Sequence, residues 1–322
     1  MKVEEIRLED LDAAKFIEKQ VAEISETVKD GLAINALSGG VDSAVVTMLG
    51  HKAMGDRLLT YLVDNGLMRE GEPENVVKIF ADLGVKVALV DAREQFFSAL
   101  KGLDDPEEKR KRGITQTFYR DVFGKIVKES GAKYLLQGTI LTDVDETCAG
   151  IKAQHNVLEQ LGIDTQEAYG YKVIEPVIQL RKPAVRVVAR ELGLPESISA
   201  RPPFPGPALT ARVIGEATPE RIEIVRKATS IVEEELLPIG AFQCMAILHE
   251  DRVTGIRDGE RDFGRQIEVR CWDSENAITA VPTRLPFATL EKVAGRLTAE
   301  VPGVVSVTYN IASKPPSTME AV

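Results

Sequence analysis

Residues 38–43 read Ser-Gly-Gly-Val-Asp-Ser, between the apolar run that ends at Leu37 and a helical pattern from Ala44 to Met54. Two hydroxyls, two glycines and a carboxylate at a strand-to-helix turn suit the holding of a phosphate chain. Glycine lets the backbone come close to an anion, and a helix N-terminus turns free N–H groups and its positive dipole end towards it. A bare Gly-Gly pair is an ordinary tight turn, and Ser or Asp before a helix is an ordinary N-cap. The complete string is far more restrictive. It lacks the spacing of GxGxxG and the lysine of GxxxxGK[ST], so it reads as a phosphate cradle of another design.

The elements that must position this loop follow from the apolar patterning. Residues 11–29 predict an amphipathic helix, and Leu32–Leu37 a short buried strand. Leu58–Val63, "VKVALVD" and "AKYLLQGTI" predict three more strands, with helices over 74–83, "REQFFSALKGL" and 106–130 between them. Strands alternating with helices imply an α/β fold with a doubly wound parallel sheet, whose ligands sit beyond the carboxyl ends of the strands. The loops that begin at Ser38, Asp64 and Gly138 all leave such ends and are expected to share one site.

From about 142 to 171 the periodicity is lost, in a stretch that carries Asp143, Glu146, Lys152 and His155. A long segment of this kind directly after a ligand-facing strand end is read as a lid. "YKVIEPVIQLRKPAVRVVARELGL" returns to strand and helix. "RPPFPGPALTARVIGE", residues 201–216, is rigid and poor in hydrogen-bond donors, and the domain boundary is expected near 200. Domains of 1–200 and 201–322 follow, the second smaller and of α+β order. On a plain reading the closing "SKPPSTMEAV" is a frayed tail.

The chain has 322 residues, 44% of them apolar and 28% charged, which fits two globular domains. A net charge of −10 argues against a nucleic-acid scaffold, and no apolar run of about 18 residues suggests a membrane span. The acidic N-terminus "MKVEEIRLED" does not resemble a signal peptide, so a cytoplasmic location is expected. Cys148, Cys244 and Cys271 include no CxxC pair. Neither a disulfide nor a zinc site is expected, with Cys244 and Cys271 read as buried thiols and Cys148 left open.

The Ser38–Ser43 string resembles the PP-loop of the ATP pyrophosphatases, which cut ATP between its α and β phosphates. Further stretches resemble the ATP-pyrophosphatase part of GMP synthase: "DNGLMREGE", "SALKGLDDPEEKRK", "QGTI", "IKAQHNV", "IEPV", "PFPGPALTARVIGE" and "SKPPSTME", in family order. The resemblance implies adenylation of XMP at O2 and displacement of AMP by ammonia to give GMP. It implies Ser38, Gly39, Gly40, Val41, Asp42 and Ser43 on the phosphates, with Val63 and Gly138 beside the adenine. It implies Mg²⁺ near Asp42, and near Asp143 and Glu146 in the lid, with Lys152 and His155 in catalytic positions. Arg201, Lys314, Thr318 and Glu320 match positions directed at XMP. The second domain is expected to form a homodimer. With no glutaminase segment in the chain, ammonia is expected from a separate amidotransferase subunit. The sequence departs from the family at Gln154, Leu158 and Glu159 of the lid and at Ala208, where the family has glycine. A paralogue that adenylates another carbonyl compound, for nitrogen or sulfur transfer, stands as the alternative.

Overall fold

The computed structural model describes residues 3–148, 171–202, 204–257, 259–275 and 278–321, with the backbone alone for 146–148. The chain packs as two units. One comprises Met1–Asp64, Glu72–Asp91 and Phe118–Arg201, and the other Asn65–Gly71, Ala92–Thr117 and Pro202–Val322.

The first unit is built on a five-stranded sheet in the order β3-β2-β1-β4-β5. Its strands are β1 (Ala33–Leu37), β2 (Leu58–Asp64), β3 (Val87–Asp91), β4 (Tyr134–Leu136) and β5 (Lys172–Ile174), and every pairing is parallel. Ala33, Ile34 and Leu37 are buried, as expected for a central strand covered on both faces. Helix α1 (Ala13–Val28) starts at Asp12, whose side chain accepts from the Lys15 amide at 3.2 Å. It buries Phe16, Gln20, Ile24 and Val28, a one-sided stripe at i,i+4 spacing. Helix α2 (Val41–Met54) is buried on all sides through its middle, Ala44–Gly50, with polar residues confined mainly to its two ends.

Helices α3 (Glu72–Asp82), α4 (Arg93–Leu100) and α5 (Phe123–Ser130) follow in the chain. Lys109–Val122, expected as plain helix, winds as π-type turns. Helix α6 (Leu141–Cys148) occupies the start of the stretch read as aperiodic, so Asp143 lies in a first helical turn. Helix α7 (Lys182–Glu191) follows β5. The α/β reading is thus found, and a mixed sheet makes up the C-terminal part of the chain.

In the second unit β6 (Gln243–Arg257) and β7 (Glu260–Asp273) form a long antiparallel hairpin. Strand β7 also pairs antiparallel with β8 (Val281–Pro282) and parallel with β9 (Val304–Tyr309). Helix α8 (Pro219–Leu236) packs on β6, and helix α9 (Phe287–Glu300) on β9. Residues 65–71 and 92–117, which precede position 200, pack here. Arg69 makes a two-pronged ion pair with Glu233, and Lys109 donates to the carbonyls of Val213 and Gly215 at 2.8 and 3.0 Å.

Two expectations are corrected. Cys244 and Cys271 face each other across the β6–β7 ladder and are joined as a disulfide, which a separation of 27 residues in sequence does not reveal. The C-terminal segment is docked rather than frayed. Met319 is buried with Met245, Ile247, Trp272 and Ala280, and the Arg270 guanidinium donates to the carbonyls of Thr318, Met319 and Glu320.

Candidate active site

The chain order reverses at β1, which has β2 on one side and β4 on the other, so the crevice beyond the ends of β1 and β4 is the sheet's switch point. The Ser38–Ser43 loop leaves β1 there, and Gly138 follows β4. A Cβ on Gly138 would meet the Ser43 amide nitrogen at 3.1 Å and the Asp42 carbonyl carbon at 3.2 Å. Any other residue there would push the two segments apart by a few tenths of an ångström. Val63, the penultimate residue of β2, is buried one strand away.

Inside the loop the hydroxyls organise the backbone. Ser38 Oγ and Ser43 Oγ are 2.9 Å apart, and Ser43 Oγ accepts from the Ser38 amide at 3.1 Å and donates to the Gly40 carbonyl at 3.0 Å. Gly39 has φ +74°, a conformation that glycine adopts freely. Gly40 is the N-cap of α2 and has no side chain to satisfy the first-turn N–H groups. An uncapped helix start behind a small-residue loop is suited to an anion.

A buried polar chain holds the loop from below. Asn35 donates to Thr47 Oγ1 at 2.6 Å and accepts from Thr60 Oγ1 at 2.8 Å, while Thr47 Oγ1 donates to the Ser43 carbonyl at 2.7 Å. All three side chains are buried, so the chain links β1, β2 and α2 where water cannot compete.

Three charged residues surround the loop. Arg201 Nη1 donates to the Gly39 carbonyl at 2.7 Å, and its Nη2 pairs with Glu72 at 2.5 Å. Arg201, expected to contact XMP with the tail residues, is therefore engaged at the loop of the first unit. Lys182, at the start of α7, pairs with Asp42 Oδ2. Asp42 Oδ1 is buried and, among the described residues, makes no hydrogen bond. An idle buried carboxylate oxygen on a phosphate-type loop fits a metal ion shared with a phosphate, because Mg²⁺ is held by one or two carboxylates plus substrate oxygens. Among the described residues no three His, Cys, Asp or Glu side chains gather into a metal site of their own.

Asp143 caps its own helix and accepts the Ile140 amide at 3.1 Å. Asp145, two residues further on, pairs with Arg181 at 2.7 Å. Lys152, His155 and the side chain of Glu146 lie outside the described residues.

In the second unit the other three expected residues lie on the docked tail. Thr318 Oγ1 donates to the Glu320 carbonyl at 2.6 Å. Glu320 accepts from Gln243 at 3.0 Å and from the fully buried Arg212 at 3.4 Å. The backbone of Lys314 exchanges hydrogen bonds with Ala280. Arg270 also pairs with Glu268 at 2.7 Å. Burial pushes the Glu268 carboxyl up, but hydrogen bonds from Arg270, Asn310 and His249 outweigh it and hold the group below the usual range. Phe204, from the proline-rich segment, has the Arg69 and Arg212 guanidinium groups over its ring, 4.0 and 4.8 Å from its centre.

Residues 11–139 match the family model for NAD synthase, and residues 232–321 match the model for the GMP synthase C terminal domain. One subunit of the glutamine-hydrolyzing GMP synthase of Archaeoglobus fulgidus is 50% identical over 311 residues, 96% of this chain and 99% of its own. The corresponding subunits of Pyrococcus furiosus and Methanocaldococcus jannaschii are 47% and 44% identical, over 95% and 96% of this chain and 96% and 99% of theirs. The chain belongs to this family of GMP synthase subunits. Membership brings the PP-loop fold of the ATP pyrophosphatases, and the match to NAD synthase spans β1 to β4 with the loop included. Among the described residues no helix is long and apolar enough to cross a membrane.

For a member of this family, Lys182 and the Asn35–Thr47–Thr60 chain are the residues that the sequence reading missed. A signal for Lys182 was present. It lies just beyond the carboxyl end of β5, and the rule applied to the loops after β1, β2 and β4 applies there too. Asn35 carried a weaker signal, a lone polar residue within an apolar strand.

Proposed function

We propose that this chain is the synthetase subunit of a two-subunit GMP synthase. It adenylates XMP with ATP and aminates the adduct with ammonia. O2 of the xanthine ring attacks the α-phosphorus of ATP and pyrophosphate leaves. Ammonia then adds at C2, a proton is lost, and AMP departs to leave GMP. The observation that carries this reading is the Ser38–Ser43 loop at the switch point, in a chain related to GMP synthase subunits along nearly its whole length.

Backbone N–H groups from Gly39 to Ser43 hold the β and γ phosphates, with the Ser38 and Ser43 hydroxyls beside them. Asp42 is the residue that would hold Mg²⁺, which when bound neutralises charge on the phosphates. Val63 and Gly138 border the adenine. Asp143, Glu146, Lys152 and His155 act from the lid segment at about 142–171, and Lys152 offsets negative charge at the α-phosphorus.

Lys314, Thr318 and Glu320 serve XMP in a C-terminal domain that begins near residue 201. The docking of the tail supports this, because a fixed segment presents its side chains at lower entropic cost. Exposed apolar residues of the second unit, among them Ile256, Phe263 and Phe287, support a homodimer formed through that domain. The partner is an amidotransferase subunit that supplies ammonia, and the compartment is the cytoplasm.

The test is incubation with ATP, Mg²⁺, ammonium and XMP. GMP, AMP and pyrophosphate in equal amounts are expected. ADP with phosphate, or no GMP while another carbonyl compound drives pyrophosphate release, would overturn the reading.

A further inference from the structure

Lys182 is joined to Asp42 across 140 residues of sequence, and both belong to the first unit. Its position is fixed from the backbone. Leu180 donates to Val177 at 2.9 Å and accepts from the Leu141 amide at 2.9 Å, and Val185 closes the first turn of α7 onto Arg181. Pro183 sets the helical direction straight after Lys182. The neighbouring cation, Arg181, is turned elsewhere, to Glu5 at 3.0 Å and Asp145 at 2.7 Å.

Three observations bear on what the pair does. The loop from Ser38 to Ser43 contains no cation, so positive charge for a triphosphate must come from other elements. Asp42 uses one oxygen on Lys182 and keeps the other buried without a hydrogen bond among the described residues, an arrangement incomplete until a cation arrives. The pair is also not sealed in. The Lys182 side chain is 45% exposed and that of Asp42 23%, and ion pairs this open contribute little and exchange readily.

We propose that Lys182 is a phosphate-contacting residue of the ATP site, and that Asp42 holds its ammonium in waiting. The inference rests on the ATP reading of the loop. When ATP and the divalent cation bind, the Asp42 carboxylate turns to the cation, and the lysine stem carries the ammonium onto the oxygens of the departing pyrophosphate. Each charge then faces one of opposite sign. Without the exchange, Asp42 would confront the triphosphate as a like charge. Because pyrophosphate gains charge as the bond to the α-phosphorus breaks, the contact strengthens in the transition state and acts on kcat as well as on binding.

Inorganic pyrophosphate, with Mg²⁺, is the probe that separates this role from a merely structural pair. Lys182→Met should weaken pyrophosphate binding roughly tenfold to hundredfold and lower kcat for its release from ATP, while KM for XMP stays unchanged. Lys182→Arg should restore part of both. Mn²⁺ titrated without nucleotide and read by electron paramagnetic resonance should bind Lys182→Met more tightly than the parent chain, since the competing ammonium is gone. Circular dichroism establishes that the variants fold. If Lys182→Met binds pyrophosphate and Mn²⁺ as the parent does, the assignment is overturned and the ATP reading stands. If the parent itself neither binds pyrophosphate nor releases it from ATP, the ATP reading fails, and the assignment fails with it.

Discussion

Gly138 faces the Ser43 backbone so closely that a Cβ on it would lie 3.1 Å from the Ser43 amide nitrogen. The loop after β4 and the first turn of α2 thereby form one wall at the switch point. Gly138→Ala places a methyl group against main-chain atoms that move only with the loop. The expected outcome is a folded enzyme with KM for ATP raised and kcat/KM lowered more than about tenfold, from a backbone displacement of a few tenths of an ångström. Steady-state kinetics with ATP varied at saturating XMP checks this, and unchanged kinetics would count against the wall.

Ala208 has φ +54°, in the left-handed region that glycine adopts freely. The conformation costs an L-residue about 1–2 kcal/mol, and Ala208 is buried in a short 3₁₀ turn that holds it there. Ala208→Gly should therefore stabilise the protein by about 1 kcal/mol, the gain trimmed by the added freedom of the unfolded chain. Chemical denaturation measures it. A loss of stability would mean that the methyl group packs better than the backbone suffers.

Lys109 is buried and donates to the Val213 and Gly215 carbonyls, and burial together with the nearby Arg221 charge lowers its pKa from 10.5 to about 8. The folded state thus binds that proton less tightly than the unfolded state does. Below about pH 8 both states are protonated and the folded one bears the full cost. Between about 8 and 10.5 the folded state has released its proton while the unfolded state still holds it, so stability rises with pH. The rise should reach at most about 2 kcal/mol after residual screening, and Lys109→Met should abolish it. Tyr309, pushed from 10.0 up to about 12 by burial, acts in the opposite direction near the top of this window, because the unfolded phenol ionises before the folded one. Urea titrations at several pH values give the slope.

The parts of the fold that were legible are those with a buried face. β1 and β2 are short, largely buried apolar runs between turn residues, and α1 shows its stripe directly; β3 was legible from its apolar residue types alone, for none of its residues is buried. Only the base of the β6–β7 hairpin has a buried face, Gln243–Leu248 on one strand and Ile267–Trp272 on the other, and its far end is a largely exposed ribbon. A ribbon with no buried face carries no alternation to read. The packing of 65–71 and 92–117 with the C-terminal residues was illegible for another reason. It is made by long-range charge contacts, such as Arg69 with Glu233, 164 residues apart. The docked tail is anchored by Met319 with Ala321 beside it, by main-chain carbonyls held by Arg270, and by the Glu320 carboxylate on Gln243 and Arg212, partners too distant in sequence to leave a signature. In the site, the loop residues were legible as a string, whereas Lys182 and Asn35 carried only weak signals, a place after a strand end and a lone polar residue within an apolar strand, and their partners are set by long-range packing.

The central claim is that XMP is activated by transfer of its own O2 to the α-phosphorus of ATP. XMP labelled with ¹⁸O at that position, incubated with ATP, Mg²⁺ and ammonium, tests it most directly by mass spectrometry of the products. One ¹⁸O in the phosphate of AMP, unlabelled pyrophosphate, and GMP that has lost the label are expected. Label found in inorganic phosphate beside ADP, or retained in the purine while AMP forms, would contradict it.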